Sequence, residues 1–230
     1  MKGLIFTLLL FSCIPLLKSQ SKVSQEEINQ LFRSLDEVHF FRYVKNKKEI
    51  ATWKALQTEY LLKYGWLVFP SRSWIVERRT GKYPHDLLEP FDYYFISIDG
   101  EELFKGGLVY YLNQAAVFFR KRNLKLETGR ENMIIAEKEV RKNSQYFKHE
   151  IEINGKNIVF AEGNLEAPQI ERYVKKFVSV LNQELSIQHA KQRIVLITSQ
   201  DGVVLLIAEE PVIEVFKHLP VSISNKVIEE

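Results

Sequence analysis

An α+β fold, mainly antiparallel with helices packed on the sheet, is predicted by the stretch from Tyr146 to Ala208. Three observations carry it. His149, Ile151 and Ile153 alternate with Glu150 and Glu152, the period of a half-buried strand, and Asn154-Gly155 follows as a type I′ turn pair before the return strand Ile158-Val159-Phe160. Behind Pro168, which suits a first helical turn, Ile170, Tyr173, Val174, Phe177, Leu181 and Leu185 recur on one helical face. A second hairpin then runs from Arg193 to Ala208 and turns at Asp201-Gly202.

The chain of 230 residues is long enough for one sizeable core. Residues 1–19 read as a secretory signal peptide and 20–230 as a single α+β domain, with a sub-division near residue 143. Met1-Lys2 is the positive start, and Gly3 to Leu17 is apolar but shorter than the ~20 residues a membrane span needs. Cleavage is expected near Ser19. Leu10-Phe11-Ser12-Cys13 resembles a bacterial lipobox, so a lipid anchor at Cys13 is the alternative. The bulky Phe11 and the apolar residues after Cys13 depart from that pattern. Cys13 is the one cysteine, which leaves the mature domain without a disulfide framework. No asparagine heads a glycosylation sequon. These features point to an exported protein of a bacterial envelope, periplasmic or secreted, with no transmembrane span in the mature chain.

Ser24-Gln25-Glu26-Glu27 forms a capping box for a first helix with Ile28, Leu31, Phe32 and Leu35 on one stripe. A second helix carries Ile50, Trp53, Leu56, Tyr60 and Tyr64 and stops at Gly65. Trp66–Phe69 and Trp74–Val76 are short strands by composition, and Lys82–Asp92, with two prolines, is a connector. Tyr93–Ile98 is a strand ended by Asp99-Gly100. Gly106-Gly107 then opens a helix faced by Leu108, Tyr111, Leu112, Ala115, Phe118 and Phe119. Leu124 and Leu126 suggest an edge strand, and Met133–Asn143 fits strand or helix equally. Pro211 and Pro220 bracket a last helix with Val212, Val215, Phe216 and Leu219. Ile96, Ile98, Asp99-Gly100, Phe104 and Gly107 echo Ile151, Ile153, Asn154-Gly155, Phe160 and Gly163, which suggests two related strand-hairpin-helix halves.

Chemistry is sparsely marked. The 32 basic and 29 acidic residues are interspersed, a balance that argues against a nucleic-acid partner. The five histidines show no metal-ligand pairing, so neither metal nor cofactor is expected. His149, His39 and His218 adjoin apolar positions and read as structural. His85, with Asp86 and Asp92, shares one connector with Tyr83 and Glu89, where a His–Asp pair could polarise a water. They are the candidate catalytic residues of a hydrolase, the alternative to a non-enzymatic domain. A periplasmic immunity-type protein is a further alternative. In Phe118-Phe119-Arg120-Lys121-Arg122 the aromatic residues complete a core stripe and the basic ones suit a helix C-terminus. With 12% aromatic residues, a type enriched in interface hot spots, a binding or interaction domain with a protein partner is the leading expectation.

Overall fold

The computed structural model describes residues 22–44, 46–69, 94–137, 145–164, 170–199 and 202–228. The α+β expectation holds: helices pack against two antiparallel sheets, one of four strands and one of three.

Helix α1 (Gln25–Glu37) begins at Ser24, whose Oγ accepts from the Glu27 N–H while the Ser24 N–H donates to Glu27 Oε2 at 2.7 Å. It buries Ile28, Leu31 and Leu35. Helix α2 (Lys47–Tyr64) is capped by Asn46 and stops at Gly65, at φ 72°. Its buried positions are Trp53, Gln57 and Leu61, whereas Tyr64 of the expected face is exposed. The difference has a polar cause. The Gln57 amide accepts from Val68 N–H at 2.9 Å and donates to Val68 C=O at 2.7 Å. Asn225 does the same for Leu67, at 2.6 Å and 3.3 Å, and also donates to Thr198 C=O. Residues 66–69, expected as a strand, are therefore held by two buried amide side chains that satisfy their backbone groups.

Strand β1 (Phe95–Ile98) leads directly into a helical run. Asp99 caps α3 (Gly100–Glu102), the π-helical turn Leu103–Gly107 follows, and α4 (Leu108–Lys121) continues it. The helix thus opens at Gly100, several residues before Gly106-Gly107. Gly107 serves close approach instead, since a Cβ there would lie 2.8 Å from the Glu102 carbonyl oxygen. The expected face of α4, from Leu108 to Phe119, is buried throughout.

Leu124 and Leu126 lie in an irregular connection, and the next strand, β2, is Thr128–Glu137. That assigns Met133–Glu137 to strand. With β3 (Gln145–Ile153) and β4 (Lys156–Asn164) it forms the outer sheet, in the order β2-β3-β4. Ile153 pairs with Lys156 across the expected turn, where Asn154 and Gly155 sit at φ 48° and 78°.

Helix α5 (Ile170–Ile187) precedes the second hairpin, β5 (Gln192–Ser199) and β6 (Gly202–Glu209). Ser199 pairs with Gly202, so Gly202 of the expected Asp201-Gly202 turn is a strand residue, and Asp201 lies outside the described residues. Helix α6 (Glu210–Lys217), with Pro211 in its first turn, and β7 (Val227–Ile228) complete the chain. The central sheet has the order β1-β6-β5-β7.

The central sheet is covered on both faces. Ile96, Leu196, Leu205 and Ile207 join one core with α4, α5 and the outer sheet's Ile151, Ile153 and Phe160. Val195, Ile197, Leu206 and Ala208 join a second core with α1, α2 and α6. The layers therefore run helices, central sheet, α4 with α5, and outer sheet. The two sequence halves that resemble each other take different places. Asp99-Gly100 caps a helix beside the central sheet, whereas Asn154-Gly155 turns a hairpin of the outer sheet.

Candidate functional site

The candidate residues His85, Asp86 and Asp92, with Tyr83, Glu89 and Cys13, lie outside the described residues, as do Trp74–Val76 and Pro168. The other histidines are described. His39 and His189 stand exposed at left-handed turns, φ 55° each, just beyond α1 and α5. His218 is exposed at the end of α6, its Nδ1 2.9 Å from the Glu214 carbonyl. His39 and His218 therefore belong to helix ends and not to a core.

His149 is fully buried on the inner face of β3, among the rings of Phe147 and Tyr173. Its Nε2 lies 2.8 Å from Glu131 Oε1 on β2, and its Nδ1 meets the Tyr173 hydroxyl from α5. A carboxylate can only accept, so Nε2 donates to Glu131, which leaves Nδ1 to accept from the Tyr173 hydroxyl. Burial, and then the Glu131 charge, push the Tyr173 hydroxyl well above its ordinary value. Phe104 of the π-helical turn closes over Phe147 and Tyr173 at 5.2 and 5.6 Å between ring centres. With Tyr173 2% exposed, this hydroxyl reaches no solute. The set locks the outer sheet to α5.

A different cluster faces solvent. At the end of α1 the left-handed His39 reverses the chain, and Phe40, Phe41 and Val44 enter the core. Arg42 and Tyr43, between them, are thereby turned outward. Tyr94 precedes β1, its C=O accepting from Ile207 N–H at 2.8 Å, and its ring packs on Phe40 at 4.7 Å. Arg122 ends α4. Its guanidinium lies 3.7 Å over Phe118 and 4.4 Å over the Tyr43 ring, and that of Arg42 lies 4.8 Å over Tyr43 as well. Residues remote in sequence thus meet at one end of the central sheet.

The charges in this cluster are unequally matched. Arg42 is paired with Glu209, which also accepts from Gln192 Nε2 at 2.9 Å. Burial raises the Glu209 carboxyl, but the Arg42 bond and charge outweigh it and hold the group below its ordinary value. Arg122 is held differently: its Nε is buried without a hydrogen bond, while the Tyr43 side chain hydrogen-bonds the guanidinium. Burial accordingly pushes Arg122 down from its ordinary value, with Arg42 repelling it too. The Tyr94 hydroxyl is buried as well, against the backbone of Tyr43, which favours its ionised form. Burial drives Tyr94 upward, while the charges of Arg122 and Arg42 act the other way, so the hydroxyl stays protonated and both cations are within its electrostatic reach.

What this cluster presents to solvent is the Tyr43 ring, 37% exposed and in contact with both guanidiniums, while the Arg122 Nε and the Tyr94 hydroxyl oxygen beneath are buried. Its sequence signal was partial. Phe118 and Phe119 fill the core as expected, but Arg122, at the close of the same run, stacks on Tyr43 instead of merely opposing a helix dipole. Nothing in the spacing of Arg42, Tyr43, Tyr94 and Arg122 marks them as neighbours. Among the described residues no group of three or more His, Cys, Asp and Glu side chains is placed to hold a metal ion, and no helix is long and apolar enough to cross a membrane. No protein-family model, no curated protein and no solved structure matches the chain.

Proposed function

We propose that this is an exported protein of the bacterial cell envelope, periplasmic or secreted, that works as a non-enzymatic binding or interaction domain. The observation that carries the reading is the Arg42–Tyr43–Tyr94–Arg122 cluster, where two guanidiniums stack on an exposed tyrosine ring. Arginine and tyrosine dominate binding hot spots because each combines a large contact surface with directional polar groups. Export rests on the leader-like residues 1–19.

Native mass spectrometry of the protein purified gently from its own source tests both parts. The expected spectrum shows a mature chain beginning after Ser19 and a second species in fixed ratio, lost on Arg122→Ala. A bare chain with an Arg122→Ala phenotype indistinguishable from wild type would refute the binding reading. A chain beginning at an acylated Cys13 would replace free export with a lipid anchor.

A further inference from the structure

We propose that Asn154 is a guarded deamidation site: the hydrogen bonds that seat its side chain hold the amide intact, and its conversion unseats the outer sheet.

Asn154-Gly155 is the one Asn-Gly pair of the chain. Glycine carries no Cβ to shield its own backbone nitrogen from the preceding side chain. Gly155 is exposed, and a Cβ there would meet nothing within 4 Å, so water and base reach the turn. Water is the only co-reactant required. Gly155 N loses its proton to solvent base and bonds to Asn154 Cγ, and the Cγ–Nδ2 bond breaks. Nδ2 leaves as ammonia with a proton from solvent, and a succinimide ring remains. One water then opens that ring at either carbonyl, giving aspartate or isoaspartate.

The seat of the amide opposes this course. Nδ2 donates to Glu184 Oε2 at 2.6 Å and to Lys125 C=O at 3.2 Å, while Oδ1 accepts from the Glu127 N–H at 2.8 Å. Both N–H bonds of the leaving group are thereby engaged. Glu184 is buried on α5 and cannot follow the amide outward. Lys125 is fixed in turn by Gln188, whose side chain accepts from its N–H at 2.6 Å and donates to its C=O at 2.8 Å. For Cγ to be attacked, the amide must turn toward Gly155 and lose its planarity, which breaks these bonds together. The same bonds tie the β3–β4 hairpin to α5 and to the connection before β2. In the aspartate product, oxygen lone pairs replace the two Nδ2 donors and face the Glu184 carboxylate and the Lys125 carbonyl, which are both acceptors.

The test incubates the purified protein at mildly alkaline pH and follows Asn154 by peptide-mapping mass spectrometry. The same chain unfolded in urea gives the unguarded rate. Native Asn154 is expected to convert about tenfold or more slowly, the scale of one charge-assisted hydrogen bond lost before the transition state. Glu184→Ala is expected to regain most of the unguarded rate, and Glu184→Gln, which keeps an acceptor, to stay near wild type. Gln188→Ala, which frees Lys125, is expected to fall between them. Leu206→Ala loosens the opposite core and is expected to leave Asn154 as slow as in wild type. Native conversion at the unguarded rate would overturn the guard. So would a Glu184→Ala rate equal to wild type, or an equal acceleration by Leu206→Ala, which would reduce the effect to general loosening. Where Glu184→Ala does not fold, Gln188→Ala carries the comparison, and a wild-type rate there overturns the guard.

Asn154→Asp reproduces one product directly. Its thermal midpoint is expected to fall, with β3 and β4 amides exchanging faster while those of β5 and β6 hold. A midpoint and exchange pattern equal to wild type would show the hairpin still seated and would overturn the release.

Discussion

Glu27 shows how much one side chain can connect. It closes the capping box at Ser24 and accepts from Ser222 Oγ at 2.8 Å, joining the start of the described chain to its end. The Ser24 backbone bond, then Ser222 and the Ser24 hydroxyl, hold its carboxyl below the ordinary value against a small opposing effect of burial. A lowered folded-state pKa means that its stabilisation is complete above the unfolded value and is lost as pH falls through the folded one. Urea unfolding at stepped pH is expected to show that acid-side loss, and Glu27→Gln to flatten it. Ser24→Ala, which removes the cap itself, is expected to cost ~1 kcal/mol at neutral pH. Tyr173 carries a larger stake. Tyr173→Phe preserves its rings' packing on Phe104 and Phe160 but strands the buried Nδ1 of His149, for an expected loss of about 1–3 kcal/mol in the same assay. A loss near zero would mean that a water replaces the hydroxyl.

The helix from Gly100 to Lys121 is the element where local rules and the fold disagree. Alanine for glycine inside a helix ordinarily gains up to ~1 kcal/mol. At Gly107 the new Cβ would sit 2.8 Å from the Glu102 carbonyl oxygen and 3.1 Å from its carbon, both backbone atoms that cannot rotate away. Overpacking of this kind costs about 1–3 kcal/mol, so it outweighs the propensity gain. Gly107→Ala is therefore expected to lower the thermal midpoint, and a raised one would show that the π-helical turn relaxes to ordinary helix. The hairpin turn is a contrasting case. At Gly155 nothing lies within 4 Å, and only its φ of 78° opposes a side chain. Gly155→Ala is expected to cost ~1–2 kcal/mol from backbone strain alone.

The whole molecule is organised by a sheet with two wet-free faces. Leu205 and Leu206 are adjacent in β6 and both fully buried, yet they belong to different cores. Leu205→Ala and Leu206→Ala are each expected to cost about 2–5 kcal/mol in urea unfolding. A sheet covered on one face only would make one of them cheap. The near-continuous apolar runs Ile194–Ile197 and Val203–Ala208 carry the signature of such double burial. What they do not carry is the identity of the covering layers, because many apolar helix faces satisfy the same strand.

The sequence alone determined the local elements whose apolar periodicity is strong: α1, the face of α4, α5, the Asn154-Gly155 hairpin, and the β5 and β6 strands. Periodicity reports which side of an element avoids water, and the backbone geometry that follows is short-ranged. Tertiary structure decided everything that depends on two elements meeting. It placed the outer hairpin and the central hairpin in separate sheets, although their strands look alike in sequence. It buried Gln57 because Val68 needed partners, and His149 because Tyr173 and Glu131 came to both its nitrogens. It also brought Arg42 and Arg122, from separate elements, onto the one ring of Tyr43. Which side chains stack is set by packing across the chain and has no local signature.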